Sequence, residues 1–221
     1  MNISYLGHLS IAVKSKNASL VFNPFDKGFI GFNCKKVESD IVLSSEDSLE
    51  CSDYTKVSDD AYIIKSPGEY EVNGVMILGF PMMEKAPDLE GRMINTNTIY
   101  RVEIAGINIC HLGSLKRGLK ENEIDEIGSV DVLILPVGND KFIDNKIATS
   151  IVNKIEPVVV IPVAYYDEAY SKKFAGLSSI EKFLESMGAS KPETESFLRI
   201  KRSDIDDQGE GTRVVILERK I

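Results

Sequence analysis

Residues 130–161 read VDVLILPVGNDKFIDNKIATSIVNKIEPVVVI, and the fold class follows from the way this stretch changes period. Apart from Asp131, Val130 to Leu135 and Val158 to Ile161 are apolar runs without polar alternation, as expected of strands covered on both faces. Between them Asp144 is placed to cap a helix whose Ile147, Ile151, Val152 and Ile155 fall on one face, before Pro157 stops it. Doubly covered strands joined by a helix predict layered α/β structure.

Reading outward, Ser178 and Glu181 have capping-box spacing ahead of Phe183, Leu184 and Met187, with Gly188 as the stop, and Arg213 to Leu217 is expected as a last strand. The N-terminal half is strand-rich. Ser10 to Lys14 and Ala18 to Phe22 flank a turn at Lys16-Asn17, and Ile41 to Leu43 and Tyr62 to Ile64 are short strands. Asn73-Gly74 joins Glu71-Val72 to Val75–Leu78, and Ala105-Gly106 joins Thr98–Ile104 to Ile107–Cys110, as hairpins. Pro67-Gly68-Glu69-Tyr70 reads as turn chemistry. No linker, repeat or low-complexity tract divides the chain, which predicts one domain over residues 1–221.

Composition narrows the function. The 221 residues are 43% hydrophobic and 27% charged, ordinary for a globular chain. Lys+Arg 26 against Asp+Glu 34 gives a net charge of −8, and the basic residues occur only as scattered pairs. Such a surface repels phosphate backbones and anionic lipid, so neither nucleic acid nor membrane is expected as a partner. The start lacks a basic region followed by an apolar one, and no apolar run is long enough to span a bilayer, which predicts a soluble cytoplasmic protein. Cys34, Cys51 and Cys110 show no paired spacing and are expected as reduced thiols. His8 and His111 are the only histidines, which restricts any metal mechanism.

The segments Ile3-Ser4-Tyr5-Leu6-Gly7-His8, Phe22-Asn23-Pro24-Phe25, Ser66 to Gly74, Asn97-Thr98-Ile99-Tyr100, His111-Leu112-Gly113, Asp131 to Gly138 and Pro157 to Pro162 follow one another along the chain. Taken in that order, they resemble the metallo-β-lactamase superfamily, and within it the small zinc-dependent hydrolases of β-lactamase fold. The resemblance implies an αββα sandwich with a two-metal site at one edge, where metal-bound hydroxide attacks an ester, amide or phosphodiester.

The ligand positions depart from that pattern. The family's HxHxDH motif aligns with Glu46-Asp47-Ser48-Leu49-Glu50-Cys51, so Glu46, Ser48 and Cys51 replace its histidines and Glu50 replaces its aspartate. His111 keeps the next histidine, but HLGD reads His111-Leu112-Gly113-Ser114, and the last histidine, in IPxHY, is Ala164. Ser48, Ser114 and Ala164 are thus vestigial ligand positions. His8 and Glu84 are expected beside the cleft. The segment from Met82 to Arg92 stands where the family has a site-flanking loop, and reads either as a connection or as a partner-binding loop.

The expectation is a hydrolase homologue that has lost most metal ligands and serves, without a cofactor, as a binding or interaction module for a small molecule or protein. The alternative is a hydrolase holding one zinc ion on Glu46, Glu50, Cys51 and His111, a chemically competent O, O, S, N set. Cys51 with His111 as a thiolate–imidazolium pair, and a homo-oligomeric scaffold, are further readings.

Overall fold

The structure is a computed structural model that describes residues 1–85, 92–190, 192–207, 209 and 211–220. Its strands and helices run β1 (Asn2–Gly7), β2 (Ser10–Lys14), β3 (Ser19–Phe22), α1 (Lys27–Ile30), β4 (Ile41–Leu43), β5 (Tyr62–Ile64), β6 (Gly68–Val72), β7 (Val75–Lys85), β8 (Met93–Ile104), β9 (Ile107–His111), α2 (Glu121–Ile127), β10 (Val132–Pro136), α3 (Asn145–Ile155), β11 (Val159–Val163), α4 (Ile180–Ser186), β12 (Thr194–Glu195), β13 (Leu198–Arg199), α5 (Arg202–Asp206), β14 (Arg213–Val214) and β15 (Ile216–Leu217).

Six strands form one sheet in the order β13-β1-β2-β3-β4-β5, and seven form a second in the order β14-β11-β10-β9-β8-β7-β6. Alternation along the strands decides which core each side chain joins. Val132 and Ile134 of β10, with Val159, Ile161 and Val163 of β11, point into a cluster shared with Ile3, Ile11, Leu20, Phe22 and Ile41 of the first sheet. Leu133, Leu135 and Val160 point the other way, onto Ile127 of α2, Ile151 and Val152 of α3, and Phe183 and Leu184 of α4. The runs at 132–135 and 158–161 are therefore continuously apolar because each serves two cores. On the first sheet's side, the segment carrying α1 adds Phe25, Ile30, Phe32 and Cys34 to this cluster, and the connection from β4 to β5 adds Val57. The result is the α/β sandwich expected from the sequence.

Several local expectations hold. Asp144 caps α3 by accepting from Ile147 N–H at 2.8 Å, and Glu156, left-handed at φ 51°, ends it before Pro157. Asn73-Gly74 and Ala105-Gly106 both have positive φ at the two central positions, the requirement of a tight hairpin. Of Pro67-Gly68-Glu69-Tyr70, only Pro67 lies in the bend, with Ser66; Gly68, Glu69 and Tyr70 already pair with β7 as the first residues of β6, and the Tyr70 hydroxyl donates back to Ser66 O at 3.0 Å.

Three expectations are corrected. The Ser178–Glu181 capping box does not form: α4 starts one residue later, Ser179 is its N-cap without a side-chain bond, and Ser178 is buried with its N–H on Gly138 O. The strand expected over Arg213 to Leu217 is two strands, since Arg213–Val214 pairs with β11 and Ile216–Leu217 with β12. The flanking segment does not begin as a loop. Met82 to Lys85 continues β7 against Met93 to Asn97 of β8, through a register shift at Met82/Met83, and 86–91 lie outside the described residues. Among the described residues no helix is long and apolar enough to cross a membrane.

Candidate functional site

A cavity of about 290 Å³ opens where the chain leaves β4, β9 and β10, lined by Glu46, Glu50, Ser114, Lys116, Asp140, Lys141 and Phe142. β4 runs parallel to β3, and β9, β10 and β11 run parallel to one another, so the carboxyl ends of both parallel sets converge here. That is the edge where α/β folds place ligands. Backbone strain gathers at the same ends. Of the eight non-glycine residues with positive φ among the described residues, Asn73, Ala105 and Glu156 belong to other hairpins or a helix cap, while His8, in the turn between β1 and β2, and Asn23, Asn139, Asp140 and Ala164 lie just beyond strands ending at this edge.

Each position aligned with a ligand of the family pattern has a partner within the protein. His111 is fully buried and stacked on Phe22 at 4.9 Å between ring centroids. Gly113 N–H donates to its Nδ1 at 2.9 Å, which makes Nδ1 the acceptor and leaves Nε2–H to donate to Leu9 O at 2.9 Å. Both ring nitrogens are consumed by backbone. Burial lowers its pKa to about 4, outweighing the Leu9 hydrogen bond, so the imidazole is neutral. Gly113 sits at φ 62°, and a Cβ there would collide with Asn97 Oδ1 and Ser45 Oγ; the glycine lets its N–H reach the imidazole.

Ser114 and Ser48 bind the same carboxylate. Ser114 Oγ donates to Glu46 Oε2 at 3.0 Å and Ser48 Oγ to Glu46 Oε1 at 2.9 Å, while Ser114 N–H donates to Asn97 Oδ1. Cys51 is fully buried, and its thiol pKa is pushed well up by burial and by the charges of Glu46 and Glu50, so it is a thiol rather than a thiolate. Ala164 is buried, left-handed at φ 53°, and its N–H donates to His8 O at 3.0 Å.

His8 joins the cleft wall through side chains. It is fully buried among Phe25, Phe142, Tyr170 and Phe174, with Nδ1 3.1 Å from the Tyr170 hydroxyl and Nε2 3.1 Å from Glu50 Oε2. Burial lowers the His8 pKa, against the opposing pull of Glu50. Glu50 meets a burial penalty too, but the His8 hydrogen bond, with Lys141 and Lys116, brings its pKa below the ordinary carboxylate value. We read a chain of donors: Tyr170 O–H to a neutral His8, and His8 Nε2–H to an ionised Glu50. Glu84 lies away from the cavity lining, 3.9 Å from Arg117 Nε.

The four-residue metal set is thus divided between separate networks: Glu46 with serines, Glu50 with His8, Cys51 in the core, and His111 on backbone. Among the described residues no group of three or more His, Cys, Asp or Glu is placed to hold a metal ion. The donors present do not fit the hydrolytic metal pair that the fold implies, because the retained imidazole has no free lone pair and hydroxyl and methyl groups occupy other positions. Cys51 and His111 likewise form no nucleophile pair. Lys116, Asp140, Lys141, Phe142 and Tyr170 escaped the sequence reading; their signal was position, since all but Tyr170 follow closely on strand ends at the cleft edge.

Comparison with known proteins agrees with the fold. A Thermotoga maritima structure provisionally assigned as a Zn-dependent hydrolase of the metallo-β-lactamase superfamily aligns with TM-score 0.75 and 26% identity, over 98% of this chain and 97% of that one. Igni18, a metallo hydrolase of Ignicoccus hospitalis, aligns with TM-score 0.63 and 16% identity, over 99% and 95% of the two chains. A structure from Parabacteroides distasonis, provisionally assigned as a metal-dependent hydrolase, gives 0.62 and 15%, over 98% and 93%. No curated protein matches the sequence. The family model described as the beta-lactamase superfamily domain matches residues 2–164, and the chain belongs to that family.

Proposed function

We propose that this protein is a hydrolase-like member of its superfamily that works without the hydrolytic metal pair, as a binding module whose ligand enters the cleft between the two sheets. The observation that carries this reading is His111: its Nδ1 lone pair accepts from Gly113 and its Nε2–H is spent on Leu9, so the one ligand imidazole kept in the sequence serves the backbone. Glu46, Ser48 and Ser114 support it, because they form a closed hydrogen-bonded set in which the carboxylate charge is solvated by hydroxyls.

The competing reading is a hydrolase with one zinc ion, and the 26% identity to the Thermotoga maritima protein speaks for it. It requires His111 to break both ring hydrogen bonds and Cys51 to ionise in the core, costs that a bound ion would have to repay. Metal content of untagged protein, offered zinc and then freed of unbound ion, separates the two, with His111→Ala as control. Neither protein is expected to retain metal. About one ion in the wild type, lost in the variant, would overturn the proposal.

A further inference from the structure

The two walls of the cleft carry opposite charge. Glu46 and Glu50 come from the segment that follows β4 of the first sheet, whereas Lys116 and Lys141 come from the loops that follow β9 and β10 of the second. Neither lysine forms an ion pair among the described residues. Lys141 Nζ rests 5.1 Å from the centre of the Phe174 ring, and both ammonium groups act on Glu50 only through space. On the facing wall Glu46 takes two neutral hydroxyls and Glu50 a neutral imidazole. Asp140, on the lysine side, is exposed at the rim. Opposite charges that could neutralise each other by closing up are held apart by the walls of a 290 Å³ cavity.

We infer that the cleft binds a small zwitterion, an ammonium group meeting Glu46 and Glu50 and a carboxylate meeting Lys116 and Lys141. A purely anionic ligand would satisfy one wall and face repulsion from the other, and a purely cationic ligand the reverse. The cavity stands at the small end of ligand pockets, which limits the ligand to the size of an amino acid. Phe142 supplies the apolar surface for its carbon skeleton. This inference rests on the proposed reading of the cleft as a metal-free binding site.

The test is amide-shift titration of the wild-type protein with 4-aminobutyrate at millimolar concentration, with butyrate and butylammonium as partners lacking one charge each. The expected result is saturable shifts confined to residues 46–50, 114–116 and 139–142. Affinity is expected to fall about tenfold or more for either single-charge compound, and likewise for Lys141→Met and Glu46→Gln. Lys116→Gln, at an exposed position, repeats the lysine arm should Lys141→Met disturb the fold. Equal binding of butyrate, or no shifts with any of the three, overturns the zwitterion assignment. Stoichiometric metal in the same preparation would instead overturn the reading beneath it, so the two failures are distinguishable.

Discussion

His8 and His111 are equally buried, both fully inaccessible, yet their neighbourhoods do opposite things. The imidazole of His111 is bonded only to backbone, on Leu9 and Gly113, and packed on Phe22, so it behaves as part of the core. His8 is bonded only to side chains, Tyr170 and Glu50, and through Glu50 reaches the cleft. In the alignment with the family pattern, His111 stands at a metal-ligand position and His8 at a neighbouring one. The lesson is that burial fixes whether an imidazole is charged, while its partners fix whether the site can feel it.

The comparison breaks most visibly at His111. His111→Ala removes the stacked ring and leaves Leu9 C=O and Gly113 N–H without partners, so a loss of about 3–4 kcal/mol is expected in denaturant unfolding. A loss below 1 kcal/mol would mean that the imidazole is no structural member. The next largest effect is on acid stability. Folded His111 titrates at about 4 against 6.5 for the free group, so the unfolded chain takes up the proton first as pH falls. Its stabilisation is complete above pH 6.5 and is lost between 6.5 and 4, on the order of 3 kcal/mol, and the slope should flatten in His111→Ala.

Smaller effects sharpen the contrast. Tyr170→Phe deletes the donor to His8 Nδ1 and should cost about 1–2 kcal/mol. Glu50→Gln should move the imidazole resonances of His8 and leave those of His111 in place; movement of both would erase the distinction. Asp206→Ala, which opens an exposed pair with Arg202 remote from both histidines, should change stability by less than about 0.5 kcal/mol.

Much of the scaffold was legible. The doubly apolar runs, the Asp144 cap and the two tight hairpins are local consequences of side-chain period and turn chemistry, and the structure keeps them. Errors arose where a local signal competed with a distant one. Ser178 has the right spacing for a cap, but its N–H is taken by Gly138 across the fold. The run at 213–217 changes partner midway, because β11 and β12 each claim two residues.

The sequence alone determined which side chains stand at the positions aligned with the family pattern: no imidazole at Glu46, Ser48, Cys51 or Ala164, and a hydroxyl at Ser114. Residue identity is enough for that, since a methyl or hydroxyl group cannot stand in for a ring nitrogen. Only the tertiary structure decided what the remaining groups do. The tautomer of His111 depends on Leu9, 102 positions away, and His8 finds Tyr170 across 162 positions. The opposed charges of the cleft walls likewise arise from loops on different sheets. Such partnerships are set by which strand ends meet at one edge of the sandwich, a property of chain topology that carries no local sequence signal.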